Sequence, residues 1–318
     1  MPKRIDFYSH VEKFIGSIRG DRNPYTSPDR HSEFPWTIAI RWMDCGLKAG
    51  IHTFNYDTYL GQNLFVRPKF IDRPYVLLMA HHDTMPNNNG VNTGSGVAVV
   101  DAIATWYNCS EVVPDDLNLA FALTDLGEGH PAYWNERAAY EASNRDRLDW
   151  DAFERQYQKK YPNIKKNYGT RVLFNHLLKT NLLDQLQVVL NFDSVGYTSE
   201  VQHSTEGFLG EVTQMTVSTG DFVAIVGNEE AREWVSRFQI THSDAGVSKL
   251  AVVLPKAVHK KELEDSEQAV FWQNGYPALL LTDTGDLRDP NTTHRESDLD
   301  LDFLVGIINL VVNTLLTQ

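Results

Sequence analysis

Val76-Leu-Leu-Met-Ala-His81-His82-Asp83-Thr84 is the stretch on which the reading of the fold turns. Its run of Val, Leu, Met and Ala is too short for a helix and has the length of a strand covered on both faces. Imidazole and carboxylate then replace the apolar residues at the strand's carboxyl end, where open α/β sheets place their ligands. Six residues past Thr84, Gly90-Val-Asn-Thr-Gly-Ser-Gly96 leads into a Val- and Ala-rich run, expected to be a helix packed under the sheet. One histidine after one strand is weak evidence, because such a residue is commonly just part of a capped loop.

Three further apolar runs end in the same way. Leu117-Asn-Leu-Ala-Phe-Ala-Leu-Thr runs into Asp125-Leu-Gly127-Glu128, Val188-Val-Leu-Asn-Phe into Asp193, and Gly275-Tyr-Pro-Ala-Leu-Leu-Leu-Thr into Asp283 and on to Thr293-His294. Two histidines and two carboxylates carried on four strand ends are what a borderline cation such as Zn²⁺ requires, since imidazole nitrogen and carboxylate oxygen fill its tetrahedral shell.

With these motifs the chain resembles the zinc exopeptidases of the bacterial leucyl aminopeptidase type, a family that includes glutaminyl cyclases. The resemblance runs from Asn63 through Asp300 and extends to segments without ligands, Gly220–Gly227 and Phe271–Ala278. It implies that His81 is a metal ligand and that Asp83 orients its imidazole. It places the bridging-carboxylate position at Asn92, a second ligand at Glu128, a third at Asp193 and the last histidine at His294. The implied fold is a mixed, mostly parallel central sheet with helices on both faces, in three layers. The implied cofactor is zinc.

The chain departs from the family at the chemistry. An amide at Asn92 cannot hold two dications about 3.5 Å apart as a carboxylate does, so one ion, or none, is expected rather than two. Gly127 stands where the family has its catalytic glutamate. Loss of a positioned base costs about 10² to 10⁴ in rate, and if no neighbour compensates for Gly127, restoring glutamate at 127, and aspartate at 92 with it, is expected to raise hydrolysis. In another register Glu128 is the base and the ligand role moves to Gly129 or His130; Asp125, His130 and His82 are alternative proton carriers. The family's S-D-H segment is Ser266-Glu267-Gln268 here, one more polar site residue that has changed.

Composition narrows the class. The 318 residues suffice for one large α/β domain, expected over 1–318 with a helical insertion at about 130–167. A formal charge of −13 argues against nucleic-acid partners and acidic membrane surfaces. No apolar run reaches the ~20 residues of a membrane span and no leader pattern opens the chain, which with only two cysteines points to a cytoplasmic protein. Periodicity predicts helices over Phe7–Ile18, about Pro35–Leu47 and Leu299–Leu316, and an edge strand over His52–Tyr59. Glu136–Tyr161 reads as an amphipathic helical stretch with one aromatic stripe, either a solvated cover for the core or a lid or homo-oligomer contact. The leading functional expectation is a metal-dependent hydrolase of peptide or small amide substrates. The alternatives are a catalytically silent peptide-binding or partner subunit and a single-zinc acyl-transfer enzyme resembling glutaminyl cyclase.

Overall fold

The computed structural model describes residues 5–145, 147–162, 164–199, 220–242, 247–256, 261–285, 288 and 299–317. Eight strands form one sheet: β1 (Ala49–Tyr56), β2 (Tyr59–Val66), β3 (Tyr75–His81), β4 (Leu119–Thr124), β5 (Leu186–Phe192), β6 (Phe222–Gly227), β7 (Ser248–Val253) and β8 (Ala278–Thr282). Their order is β1-β2-β4-β3-β5-β8-β6-β7. The four central strands β4, β3, β5 and β8 are mutually parallel, and so are β6 and β7; the β1–β2, β2–β4 and β6–β8 pairs are antiparallel. This is the expected mixed, mostly parallel sheet.

Alternation along β3 explains why both of its faces are apolar. Leu78 and Ala80 pack into the cluster formed with α1 (Phe7–Ile18), α2 (Pro28–Asp44) and α3 (Val91–Cys109). Leu77 and Met79 pack into the opposite cluster with Leu173, Phe174 and Leu177 of α6 (Tyr168–Lys179) and with Val270 and Phe271. Successive strand side chains point to opposite faces, so His81 and His82, which continue the strand, leave the sheet on opposite sides. Between β4 and β5, ahead of α6, lie two further helices, α4 (Pro131–Ser143) and α5 (Trp150–Lys160). Beyond β6 come α7 (Arg232–Ile240), the short α8 (Lys261–Glu264), α9 (Gln268–Gln273) and α10 (Leu301–Leu316).

Three boundaries differ from the sequence expectation. Helix α2 begins at Pro28 rather than near Pro35; Pro28 occupies the helix start that suits a residue without an N–H, and Pro35 is buried inside the helix. The edge strand stops at Tyr56, because Asp57 adopts φ 55° in a two-residue turn and Tyr59 begins β2. The stretch from 136 to 161 is two helices rather than one. They pack on each other through Tyr133, Tyr140, Phe153 and Tyr157, with Phe153 and Tyr157 buried while Trp150 stays exposed.

Candidate metal and catalytic site

His81, the last residue of β3, is oriented by the turn that follows it. Its Nδ1 lies 3.1 Å from the Asp83 carbonyl and 3.2 Å from Asp83 Oδ1. Asp83 is itself held by the β4 end, where the Gly127 and Glu128 amides each donate to its carboxylate at 2.9 Å. A ring nitrogen committed to such acceptors leaves the other nitrogen as the ligating atom. That atom, Nε2, faces Asp193 Oδ1 at 3.7 Å. The gap is too long for a hydrogen bond and near the separation of two ligand atoms that each lie about 2 Å from one cation.

The third member is Glu267, whose carboxylate comes within 4.8 Å of the donor atoms of His81 and Asp193. A buried network fixes it. Asn191 Nδ2, one residue before the end of β5, donates to Glu267 Oε2 at 3.3 Å, to Ser266 Oγ at 3.2 Å and to Gln268 Oε1 at 3.1 Å. The Ser266 hydroxyl donates to Asp193 Oδ2 at 2.7 Å. The Ser266-Glu267-Gln268 segment thus orients one ligating carboxylate and supplies another.

Glu267 also explains Gly127. A Cβ added at Gly127 would lie 2.4 Å from Glu267 Oε1 and 2.5 Å from both Cβ and Cγ of His81. The space beside residue 127 is filled by a carboxylate that arrives from another part of the chain. A side chain at 127 would have to displace both Glu267 and His81, which argues against the expectation that glutamate there restores a missing group.

The electrostatics are those of a site built for a cation. Burial opposes charge on His81, but Glu267, Asp193 and Asp83 outweigh it and raise its proton affinity well above the usual imidazole range. Burial, reinforced by Asp83, Asp193 and Glu267, pushes Glu128 up to about 8. Glu267 is raised to about 7, first by burial and then by Asp193 and Asp83 against the pull of His81. Asp193 stays below the ordinary range because His81 and the Ser266 hydroxyl outweigh its burial. Four carboxylates around one imidazole repel one another, and a dication at their centre relieves that repulsion. The donor set, imidazole nitrogen and carboxylate oxygen, suits zinc.

The other sequence candidates fall into three groups. Asn92 is the second residue of α3, where its carbonyl accepts from the Ser95 hydroxyl. His294 lies outside the described residues. Asp125 and His130 are not part of the His81 cluster: Asp125 is bound to His31, Tyr59 and the Gln62 amide. His130 caps α4, with Nδ1 accepting from Ala132 N and Nε2 on the Tyr56 carbonyl. Both nitrogens of His130 are thus occupied, which removes the geometric basis for giving it a ligand or proton-carrying role. Sequence reasoning noted Glu267 only as a changed residue; the signal that could have found it was an acid in the polar segment before Phe271-Trp272.

Comparison with known proteins agrees with this fold. Residues 66–299 match the family model described as Peptidase family M28. The Legionella pneumophila LapA aminopeptidase superposes with a TM-score of 0.60 at 12% identity, covering 97% of this chain and 70% of that one. Macrostomum lignano glutaminyl cyclase gives 0.63 at 12% identity over 97% of this chain and 88% of that one. Fimbriiglobus ruber glutaminyl cyclase gives 0.62 at 14% identity, covering 99% and 97%. At such identities the likeness establishes the fold. No curated protein matches the sequence.

Proposed function

The chain belongs to peptidase family M28, and from that premise we propose that it is a zinc-dependent hydrolase of peptide or small amide substrates with a one-cation site at His81, Asp193 and Glu267. The observation that carries the proposal is the convergence of those three donors within 4.8 Å at the carboxyl ends of the strands. A cation held there supplies a Lewis acid for the substrate carbonyl and a lowered pKa for the attacking water. Asp83 keeps Nε2 of His81 free for ligation, and Asn191 and Ser266 hold the two carboxylates in place.

Glu128 is the residue positioned to move protons. It is half-buried and attached through its amide to Asp83, and burial raises its proton affinity to about 8 before any cation is bound, which suits a group that holds and passes on protons. In this reading Glu267 fills the space beside Gly127, Glu128 takes over proton transfer, and a one-cation site needs no bridging carboxylate at position 92.

The test is metal analysis of protein purified without chelator, followed by turnover of aminoacyl amides, short peptides and peptides with N-terminal glutamine. About one equivalent of zinc that Glu267→Gln removes, with hydrolysis that chelator and Glu267→Gln both abolish, is the expected result. Zinc-loaded protein that turns over none of the panel sinks the hydrolase reading in favour of a silent binder. Cyclisation of N-terminal glutamine without hydrolysis points to acyl transfer instead.

A further inference from the structure

On the other side of the sheet, His82 enters a second cluster that the proposed reaction does not use. His82 is fully buried; its Nε2 lies 2.9 Å from the Gln62 carbonyl, and its Nδ1 has no hydrogen-bond partner. His31, reaching in from α2, is arranged in the same way. Its Nδ1 is 2.7 Å from the Arg22 carbonyl, and its Nε2 faces Asp125 Oδ1 at 3.0 Å and the Tyr59 hydroxyl. Donor atoms of His31, His82 and Asp125 all lie within 4.8 Å of one another.

We infer that His31 Nε2, His82 Nδ1 and the Asp125 carboxylate form a second, structural zinc site, with the Tyr59 hydroxyl as its fourth donor. Three features distinguish it from an ordinary buried polar cluster. Each imidazole gives one nitrogen to a backbone carbonyl, the arrangement that fixes the tautomer of a metal-ligating histidine. One of the two remaining nitrogens is left bare at 0% exposure, a cost that buried polar atoms seldom bear. The carboxylate is also supported, with the Gln62 amide donating to Asp125 Oδ2 at 2.9 Å and the Leu126 amide to Oδ1 at 2.8 Å. When the cation enters, the proton shared by His31 Nε2 and Asp125 leaves to solvent.

The chemistry differs from that of the His81 centre. Structural zinc sites are closed, while catalytic ones keep a position open. The side chains of His31 and Asp125 are 4% and 0% exposed, against 29% for Asp193. A cation here would tie α2 to the ends of β3 and β4 and so brace the 125–128 turn that carries Glu128. In that turn Leu126 holds φ 60°, a conformation that needs support in a residue other than glycine.

Zinc titration of the Asp193→Ala variant, whose His81 centre is disabled, separates this site from the proposed catalytic one. The expected outcome is about one retained equivalent that raises the Tm, with affinity falling more than tenfold on adding His31→Gln or His82→Gln. No zinc uptake by Asp193→Ala, or the same uptake with and without His31→Gln, overturns the inference. Crystals of the unmodified protein grown with zinc give a reading that needs no variant to fold. Anomalous density between residues 31, 82 and 125 supports the site; density at His81 alone refutes it while leaving the hydrolase reading intact, and density at the second site alone does the reverse.

Discussion

His81 and His82 are neighbours in the chain and members of two unlike polar clusters. His81 turns toward the α6 and α9 side, into a half-open group of carboxylates that repel one another, where Glu128 and Glu267 are pushed up to about 8 and 7. His82 turns toward α2, into a closed group in which charges are matched. There the His31 imidazole outweighs burial and holds Asp125 down to about 2. In the readings proposed above one strand end serves two purposes: the open, unbalanced cluster takes up a cation and substrate, while the sealed one holds elements together.

The largest expected effect breaks the open side. Asp193→Asn or Glu267→Gln removes an anionic ligand and should lower kcat/KM by about 10² to 10⁴, together with zinc content, while the Tm of the metal-free protein holds or rises because repulsion is relieved. If Glu267→Gln keeps full activity and zinc, Glu267 is not a ligand.

On the closed side, His31→Ala leaves Asp125 buried without its partner and should cost about 3–5 kcal/mol in stability, measured by denaturant unfolding. A loss below about 1 kcal/mol would mean that water or another group compensates. Gly127 tests how tightly the open side is assembled. Gly127→Ala should destabilise by about 1–3 kcal/mol through overpacking and lower activity at least tenfold, whereas in an Asp193→Ala/Glu267→Gly background the same change should cost less. Equal costs in both backgrounds would show that the collision with His81, not Glu267, governs the site.

The pH dependence of stability sharpens the comparison further. The raised folded-state values of Glu128 and Glu267 mean that their contribution is fully present below the unfolded value near 4.5 and is lost as pH rises through about 7 and 8. Chelated protein should therefore lose Tm between about pH 5 and pH 8, and zinc should flatten that slope. Asp125 has the opposite sign, with stability present above the unfolded 3.8 and lost as pH falls through about 2. A flat profile for the chelated protein would contradict the unbalanced cluster. The smallest effect is expected at the α4–α5 pair. Trp150→Ala removes a ring over which the Arg137 guanidinium sits at 4.4 Å and should cost only about 0.5–1 kcal/mol, with zinc content unchanged.

Much of this was legible in the chain. Apolar runs of strand length ending in acid or imidazole marked β3, β4, β5 and β8, because a strand buried on both faces must be apolar along its length and polar where it meets solvent. The family resemblance carried by those motifs implied the mixed sheet and pointed to residues 81, 83, 128 and 193, with Glu128 as a ligand where the proposed reading makes it a proton carrier. Glu267 did not follow, because no apolar run leads directly into it; it reaches the site only through the Asn191 network and the space left at Gly127. The second cluster was equally hidden, since α2, β2, β3 and β4 contribute one donor each at no regular spacing. Periodicity along the chain determines which side chains are buried, and only the packing of separate elements decides which buried groups meet.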